Sequence, residues 1–422
     1  MRDVILQALK ALDIAEYQIV TNETESAELF FIRKTLDMRR TKRAKSYTVT
    51  VFRDFEADGK ACRGSSLAQI FEGMTLGEVE DRLKSAYFAA QFVKNPAFEL
   101  YAGEKADPVE MPSTLADRPL EDDALLMAEA LFAADVNEDA FINSAEVFAI
   151  RSRTAILSSR GVDVAYTRYE VKGEFVTQCR KPQDVEQYFQ FDYPDLNAAA
   201  LTEKAKQAIA AVRDRAAAQK SPQAGTYDVV LSGDEVGQLL SYYTERAMAP
   251  YVYAQYSDWA PGKQVQGADV RGEKLNIRLL PITPYSEEGI PMVARPLMED
   301  GELKLIYGAN RFCQYLGIEP TGYYERIGVS NGAVPLDELR KGCLCPVSFS
   351  GFEMDTFTGH FGGEIRLAYL YTDQGVEILT GGSINGSLTE KQANLLFSAE
   401  RYDTMAYSGP FAVRIEGVEV AG

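Results

Sequence analysis

Hydrophobic positions along the first half of the chain follow two periods. Met1–Leu12 carries Val4, Ile5, Leu9 and Leu12 at helical spacing. Glu16–Val20, Glu28–Leu36 and Ser46–Glu56 read as strands, the last alternating around Tyr47, Val49, Val51 and Phe52 before a turn at Asp58-Gly59. Thr75 and Glu78 form a capping box, which predicts a helix running through Val79, Leu83, Tyr87 and Ala90. Asn95–Pro119 is rich in proline, glycine and charge and reads as loop; Glu121–Ala134 reads as a second helix. Glu146–Cys179 is an antiparallel meander with turns expected at Arg160-Gly161 and Lys172-Gly173. Leu196–Lys220 is an alanine-rich helix with Ala200, Ala205, Ile209, Val212 and Ala216 on one face. The segment Ser221–Gly225 stops it, and a domain boundary is expected there, dividing the chain into 1–221 and 222–422.

The second half opens on Asp228–Met248. Val229–Leu231 is a short apolar run, as in a buried strand, and a helix follows a Gly-Asp turn, capped by Ser232 or Asp234. One face of that helix carries Leu239, Leu240, Tyr243 and Met248. Beyond it come Leu275–Leu280, a hairpin turning at Asp300-Gly301, a short helix at Pro335–Lys341, strands at Cys345–Phe349, Ile365–Leu370 and Val376–Thr380, a helix at Thr389–Phe397 and a strand at Phe411–Val420. Many short strands with regular turn signals predict a β-rich domain, sandwich-like or barrel-like. The fold class is therefore α+β: an N-terminal α/β two-layer domain followed by a β-rich, antiparallel C-terminal domain.

Composition narrows the function. The chain has 422 residues and a formal net charge of −18, which disfavours a nucleic-acid partner because phosphate binding needs clustered Lys and Arg. The one basic cluster, Arg39–Lys45, reads as an exposed loop between two strands. No apolar run reaches the roughly 18–20 residues of a membrane span, and Met1–Ala15 lacks the apolar core of a secretory signal. The five cysteines are odd in number and sparsely spaced, so they imply buried free thiols. These features point to the cytoplasm. Asp135–Glu146 matches a calcium loop at several ligand positions, but Ala140 stands where the sharp turn needs glycine, so it reads as an acidic turn leading into a strand.

The lone histidine, His360, sits in the glycine-flanked run Asp355–Glu364. One histidine excludes a multi-histidine zinc site within the chain. A Cys–His pair with Cys343 or Cys345 would suit nucleophilic chemistry; otherwise His360 occupies a turn in which Asp355 caps its own backbone. The tyrosine-rich runs at Tyr242-Tyr243, Tyr251–Tyr256 and Tyr323-Tyr324 would line a peptide groove or cover the core.

Glu288-Gly289-Ile290-Pro291 followed by Asp300-Gly301-Glu302-Leu303-Lys304 resembles the "EG-P … DG-LK" hairpin of the TldD/PmbA family, also called modulator of DNA gyrase and grouped with metallopeptidases. Pro335–Leu339 with Gly342, Asp355–Phe361 and the closing run Arg414–Gly422 are similar to later motifs of the same family. The resemblance implies that peptidase members carry H-E-x-x-x-H on the helix after the first strand of the second domain. Aligned on Leu239-Leu240, those six positions are Ser241, Tyr242, Tyr243, Thr244, Glu245 and Arg246. Ser241, Tyr242 and Arg246 thus replace both ligands and the catalytic Glu. Active members also use a cysteine near the C-terminus, and the matching stretch Thr404–Gly409 has none. The resemblance therefore implies the PmbA (TldE) branch: no metal, no cofactor, a TldD-like metallopeptidase subunit or a second copy as partner, and an unfolded peptide as substrate. Tyr243, Arg246, Asp355, Thr358 and His360 are the candidate peptide-groove residues. The alternatives are a stand-alone hydrolase using His360 as base, or a self-associating peptide-binding protein.

Overall fold

The computed structural model describes the whole chain, Met1–Gly422. Its N-terminal half is one twisted sheet with helices on one face. Helix α1 (Arg2–Ala11) precedes strands β1 (Tyr17–Ile32), β2 (Thr35–Ala57) and β3 (Lys60–Phe71); α2 (Leu76–Ala90), the two-residue β4 (Val109–Glu110) and α3 (Leu120–Phe132) follow, then β5 (Ala140–Ser158), β6 (Asp163–Cys179), β7 (Val185–Tyr193) and α4 (Ala198–Ala217). The ladder runs β3-β2-β1-β5-β6, and both β4 and β7 pair with β6. Under one half, α1 and α2 pack on Ile19, Val49, Val51 and Ile70. Under the other, α3 and α4 pack on Leu29, Val147, Val171 and Phe175. The opposite face of the sheet carries polar and aromatic side chains toward the C-terminal half.

Several local expectations hold, and each has a visible cause. Thr75 and Glu78 make the reciprocal capping box, and Asn197 caps α4 through the Ala200 amide. Asp58 and Gly59 both adopt positive φ, as a tight two-residue hairpin turn requires. Residues 140–142 begin β5, so the acidic stretch before them is a turn into a strand, without a calcium loop.

Two expectations for this sheet are corrected. Arg39–Lys45 is strand, not loop: it lies in β2 and faces β1, where Arg40 pairs with Glu28, and Arg43 with Glu23 and Glu25. Lys172-Gly173 is not a turn, because β6 runs straight through it. Gly173 is glycine for packing: an added Cβ would lie 2.4 Å from the Glu146 carbonyl and 2.7 Å from the Phe191 ring. The strand β7 was not expected at all.

Strand β8 (Gly225–Ser232) and helix α5 (Asp234–Arg246) open the second half. The helix N-cap is Gly233, at φ 72° and with no side-chain cap, in place of Ser232 or Asp234. Strand β8 pairs antiparallel with Ala412–Ala421, which pairs with Ser383–Ser387, then His360–Thr372, then Leu344–Met354. Leu344–Met354 returns to β8 through a parallel bridge between Leu344 and Val229, closing a five-stranded barrel. A second sheet runs Glu302–Leu303, Arg295–Glu299, Ile277–Leu280, Arg326–Val329, Tyr407–Pro410 and Arg401–Asp403. The predicted helix at Thr389–Phe397 is a short helix, Leu388–Lys391, continued by a 3-10 turn at Gln392–Asn394 and followed by a two-residue strand, Leu396–Phe397. One apolar core joins the barrel, the second sheet and the buried side of α5, including Leu239, Leu240 and Tyr243. No helix is long and apolar enough to cross a membrane.

Candidate functional site

Helix α5 begins where β8 ends, so its N-terminal turn is fixed by a buried strand. The helix has two differently used sides. Val236, Leu239, Leu240 and Tyr243 are fully buried. Asp234, Gly237, Gln238, Ser241 and Thr244 line a cleft of about 730 Å³. The opposite wall is the N-terminal sheet, through Phe148 of β5, Lys172 and Glu174 of β6, and Tyr188, Gln190 and Asp192 of β7. Thr404, Met405, Ala406 and Tyr407 close one side, and Tyr324 and Glu325 another. Gly237 lets the Tyr407 ring lie against the helix, 3.2 Å from where a Cβ would sit.

The six motif positions divide between the two sides. Ser241 and Thr244 reach the cleft, with the Ser241 hydroxyl donating to the Gln238 carbonyl at 2.7 Å. Tyr242 turns away. Its ring packs edge-on to Tyr243 and Trp259, at 5.3 and 5.7 Å between centroids. The Arg246 guanidinium lies over the Tyr242 and Trp259 rings, 5.5 and 5.4 Å from their centroids, and donates to the Phe357 carbonyl at 3.0 Å. Glu245 accepts from Tyr251 at 2.9 Å and Thr356 at 2.7 Å, so it is a bracing carboxylate. Tyr243 is fully buried and donates to Gln392 at 2.6 Å, which corrects its candidacy as a groove residue.

Arg246 reaches the turn that carries Asp355, Thr358 and His360 through the Phe357 carbonyl, and none of these four residues lines the cleft. Asp355 caps its own turn, accepting from the Phe357 amide at 2.9 Å and the Thr358 hydroxyl at 2.5 Å. Those bonds hold its carboxyl below the usual range, the Thr358 hydroxyl most of all. His360 is exposed and opens its strand. The Cys–His pairing fails on register. Cys345 lies opposite Tyr369, nine positions along the same strand from His360, a separation of about 30 Å. Burial also pushes the Cys345 thiol up to about 12.

Sequence reasoning missed the charged cluster at the mouth of the cleft. The Tyr402 hydroxyl donates to Asp234 at 3.1 Å, and the Lys204 ammonium to that hydroxyl at 3.4 Å. Burial lowers the pKa of Lys204, against the pull of Asp234 and Glu235. Burial also raises the Glu235 carboxyl to about 7, with the neighbouring Asp234 charge adding to the effect. These residues are far apart in sequence and carry no motif. The only signal was the acidic start of a helix at Asp234-Glu235.

A zinc site of the peptidase kind does not fit these residues. Ser241 offers a hydroxyl, Tyr242 is committed to the aromatic cluster, and Arg246 brings a fixed positive charge. Nowhere do three or more His, Cys, Asp or Glu side chains converge as a metal would require.

Residues 224–422 match the family model described as the PmbA/TldA metallopeptidase C-terminal domain. No curated protein sequence matches the chain. Among solved structures, the fold is shared with a "putative modulator of a DNA gyrase" from Thermotoga maritima, at TM-score 0.77 and 17% identity, covering 100% of this chain and 99% of the other. A protein of the same description from Bacteroides thetaiotaomicron matches at TM-score 0.77 and 17% identity, covering 100% and 98%. TldE from Thermococcus kodakarensis matches at TM-score 0.76 and 16% identity, over 100% of both chains. At these identities the structures establish a common fold, while the C-terminal match carries the kinship. Over residues 224–422, the chain carries the C-terminal domain of the TldD/PmbA family.

Proposed function

We propose that this chain is a non-catalytic, PmbA/TldE-like subunit that pairs with a metal-bearing TldD-like sister in cytoplasmic peptide processing. The observation that carries the reading is a convergence. The two places where the family resemblance looks for metal ligands, the α5 motif and the stretch Thr404–Gly409, meet at one cleft through Ser241, Thr244 and Thr404–Tyr407. At that meeting point the chain presents hydroxyls and apolar groups, and no histidine or cysteine. The cleft keeps the shape of a peptide site without the chemistry of a peptidase. Its size is that of sites which enclose a small ligand or a few residues of an extended chain.

The aromatic cluster of Tyr242, Trp259 and Arg246 supports the same reading. It occupies with packing the positions that the resemblance assigns to the base and second ligand. The test is reconstitution. Co-expression with a TldD-like protein bearing H-E-x-x-x-H should give a stable complex through gel filtration, and unfolded peptides should be cleaved only when that sister is present. A chain that stays monodisperse and alone, with no sister recovered by pull-down, contradicts the proposal.

A further inference from the structure

A second cavity, of about 250 Å³, lies between the two halves of the chain and shares no lining residue with the α5 cleft. One wall comes from the segment Asn95–Tyr101, through Phe98, Leu100 and Tyr101. That segment is tied to the short helix Asn310–Leu316. The Glu99 carbonyl accepts from the side-chain amides of Asn310 and Gln314, both at 2.7 Å, and the Tyr315 hydroxyl donates to the Pro96 carbonyl at 2.6 Å. Phe52, Phe98, Leu100 and Phe312 make the lining apolar, and each is only half-buried. Two opposite charges, Glu288 and Arg311, line the same cavity without meeting. Burial raises the Glu288 carboxyl, the Asn310 amide opposes that, and the Arg311 charge acts on it through space alone. The carboxylate accepts one hydrogen bond, from the Asn310 amide at 2.7 Å, and has room for more. Glu288 opens the run Glu288–Pro291, which the α5 cleft does not use.

We infer that this cavity binds a free α-amino acid with a large apolar side chain, its ammonium on Glu288, its carboxylate on Arg311 and its side chain against Phe52, Phe98 and Phe312. A zwitterion carries both charges on one carbon, so it bridges two opposite charges that are close but not in contact. A ligand with only one of the charges leaves the other wall's charge unpaired and partly desolvated, which is costly. The remaining polar groups are largely committed: the Gln18 amide donates to the Glu287 carbonyl, and the Ser158 hydroxyl accepts from the Arg160 amide. Size argues against a peptide, since the cavity falls below the range of about 300–1,000 Å³ that holds larger ligands. The bound amino acid touches Asn95–Tyr101, the N-terminal sheet and the helix Asn310–Leu316 together, so it clamps the two halves of the chain. The inference stands on this cavity alone and does not rest on pairing with a sister subunit.

The test is isothermal titration calorimetry of the full chain with L-phenylalanine and L-leucine, with melting temperature read in parallel. At least one of the two should bind and raise the melting temperature. Glycine, which lacks the apolar side chain, should bind roughly tenfold or more weakly. N-acetyl-L-phenylalanine lacks the ammonium, and L-phenylalaninamide lacks the carboxylate. Each should also lose roughly tenfold or more, the worth of about one lost charge-assisted hydrogen bond. Two variants assign the ends. Glu288→Gln keeps an acceptor for the Asn310 amide and removes the charge, so phenylalanine and its N-acetyl form should bind it alike. Arg311→Met should bring phenylalanine and its amide together in the same way. If either variant fails to fold, the derivative series on the unmodified chain decides. Derivatives that bind as well as the parent overturn the zwitterion site, as do variants that bind every compound as the unmodified chain does. Failure of both amino acids to bind at millimolar concentration overturns it outright.

Discussion

Replacing Tyr242 with alanine separates a packing position from a site position. The side chain is 6% exposed. Its ring meets Tyr243 and Trp259 edge-on, and Arg246 covers its face. Truncating a buried aromatic residue costs about 3–5 kcal/mol, lost transfer energy and residual cavity together. The better helix propensity of alanine returns only about 0.5 kcal/mol. The net loss is then about 3 kcal/mol or more. For a folding unit of this size, each kcal/mol lowers the melting temperature by about 2–4 °C, so Tyr242→Ala should melt on the order of 10 °C earlier. Tyr242→Phe is the control. The Tyr242 hydroxyl has no hydrogen-bond partner in the protein, so removing it should change stability by less than about 0.5 kcal/mol. Differential scanning calorimetry with matched circular dichroism reads both variants. A loss below about 1 kcal/mol for Tyr242→Ala, or equal damage from both substitutions, would mean that the ring is not part of the core and that position 242 is free to face a ligand.

Two further outcomes follow from the structure. The Glu235 carboxyl is raised from 4.5 to about 7, so between those values the folded chain binds more protons than the unfolded one. Stability should therefore fall as pH rises through that window and level off above it. Glu235→Gln should flatten that slope in melting curves, and an unchanged slope refutes the assignment. The chain should also divide near Gln219–Thr226: Gln223 and Ala224 are exposed, although Pro222 is buried and the Thr380 amide donates to the Lys220 carbonyl. Limited proteolysis should leave two resistant fragments, and cleavage confined to the termini or to Asn95–Pro119 counts against a boundary there.

Elements with strong local chemistry were legible in the sequence. The Thr75–Glu78 box, the Asp58-Gly59 turn and the apolar stripe of α4 each follow from residues close together in the chain. Charge misled where partners were remote. Five basic residues between Arg39 and Lys45 suggest a loop until Glu23, Glu25 and Glu28 are placed opposite them, and only the hairpin register does that. Gly173 reads as a turn in the sequence because its reason, the Phe191 ring, lies eighteen residues away. The β7 strand escaped notice because Glu186, Tyr188, Gln190 and Asp192 face solvent between its buried positions, and they dilute the apolar signal. The cleft was invisible for a similar reason, since its walls come from residues as distant as Phe148 and Tyr407. What the motif comparison did locate, at Ser241 and Thr404–Gly409, are two points on its lining.

The central claim is that this chain lacks a peptidase's metal centre and depends on a sister for catalysis. The direct measurement is elemental analysis of the purified chain after dialysis, with unfolded peptide incubated in parallel. Zinc binding by a peptidase site needs three protein ligands. Ser241 is at best a weak one, Arg246 repels a dication, and His360 is the chain's only histidine. The account predicts far less than one zinc per chain and intact peptide. Stoichiometric zinc, with chelator-sensitive cleavage that follows the protein through every column, would contradict it.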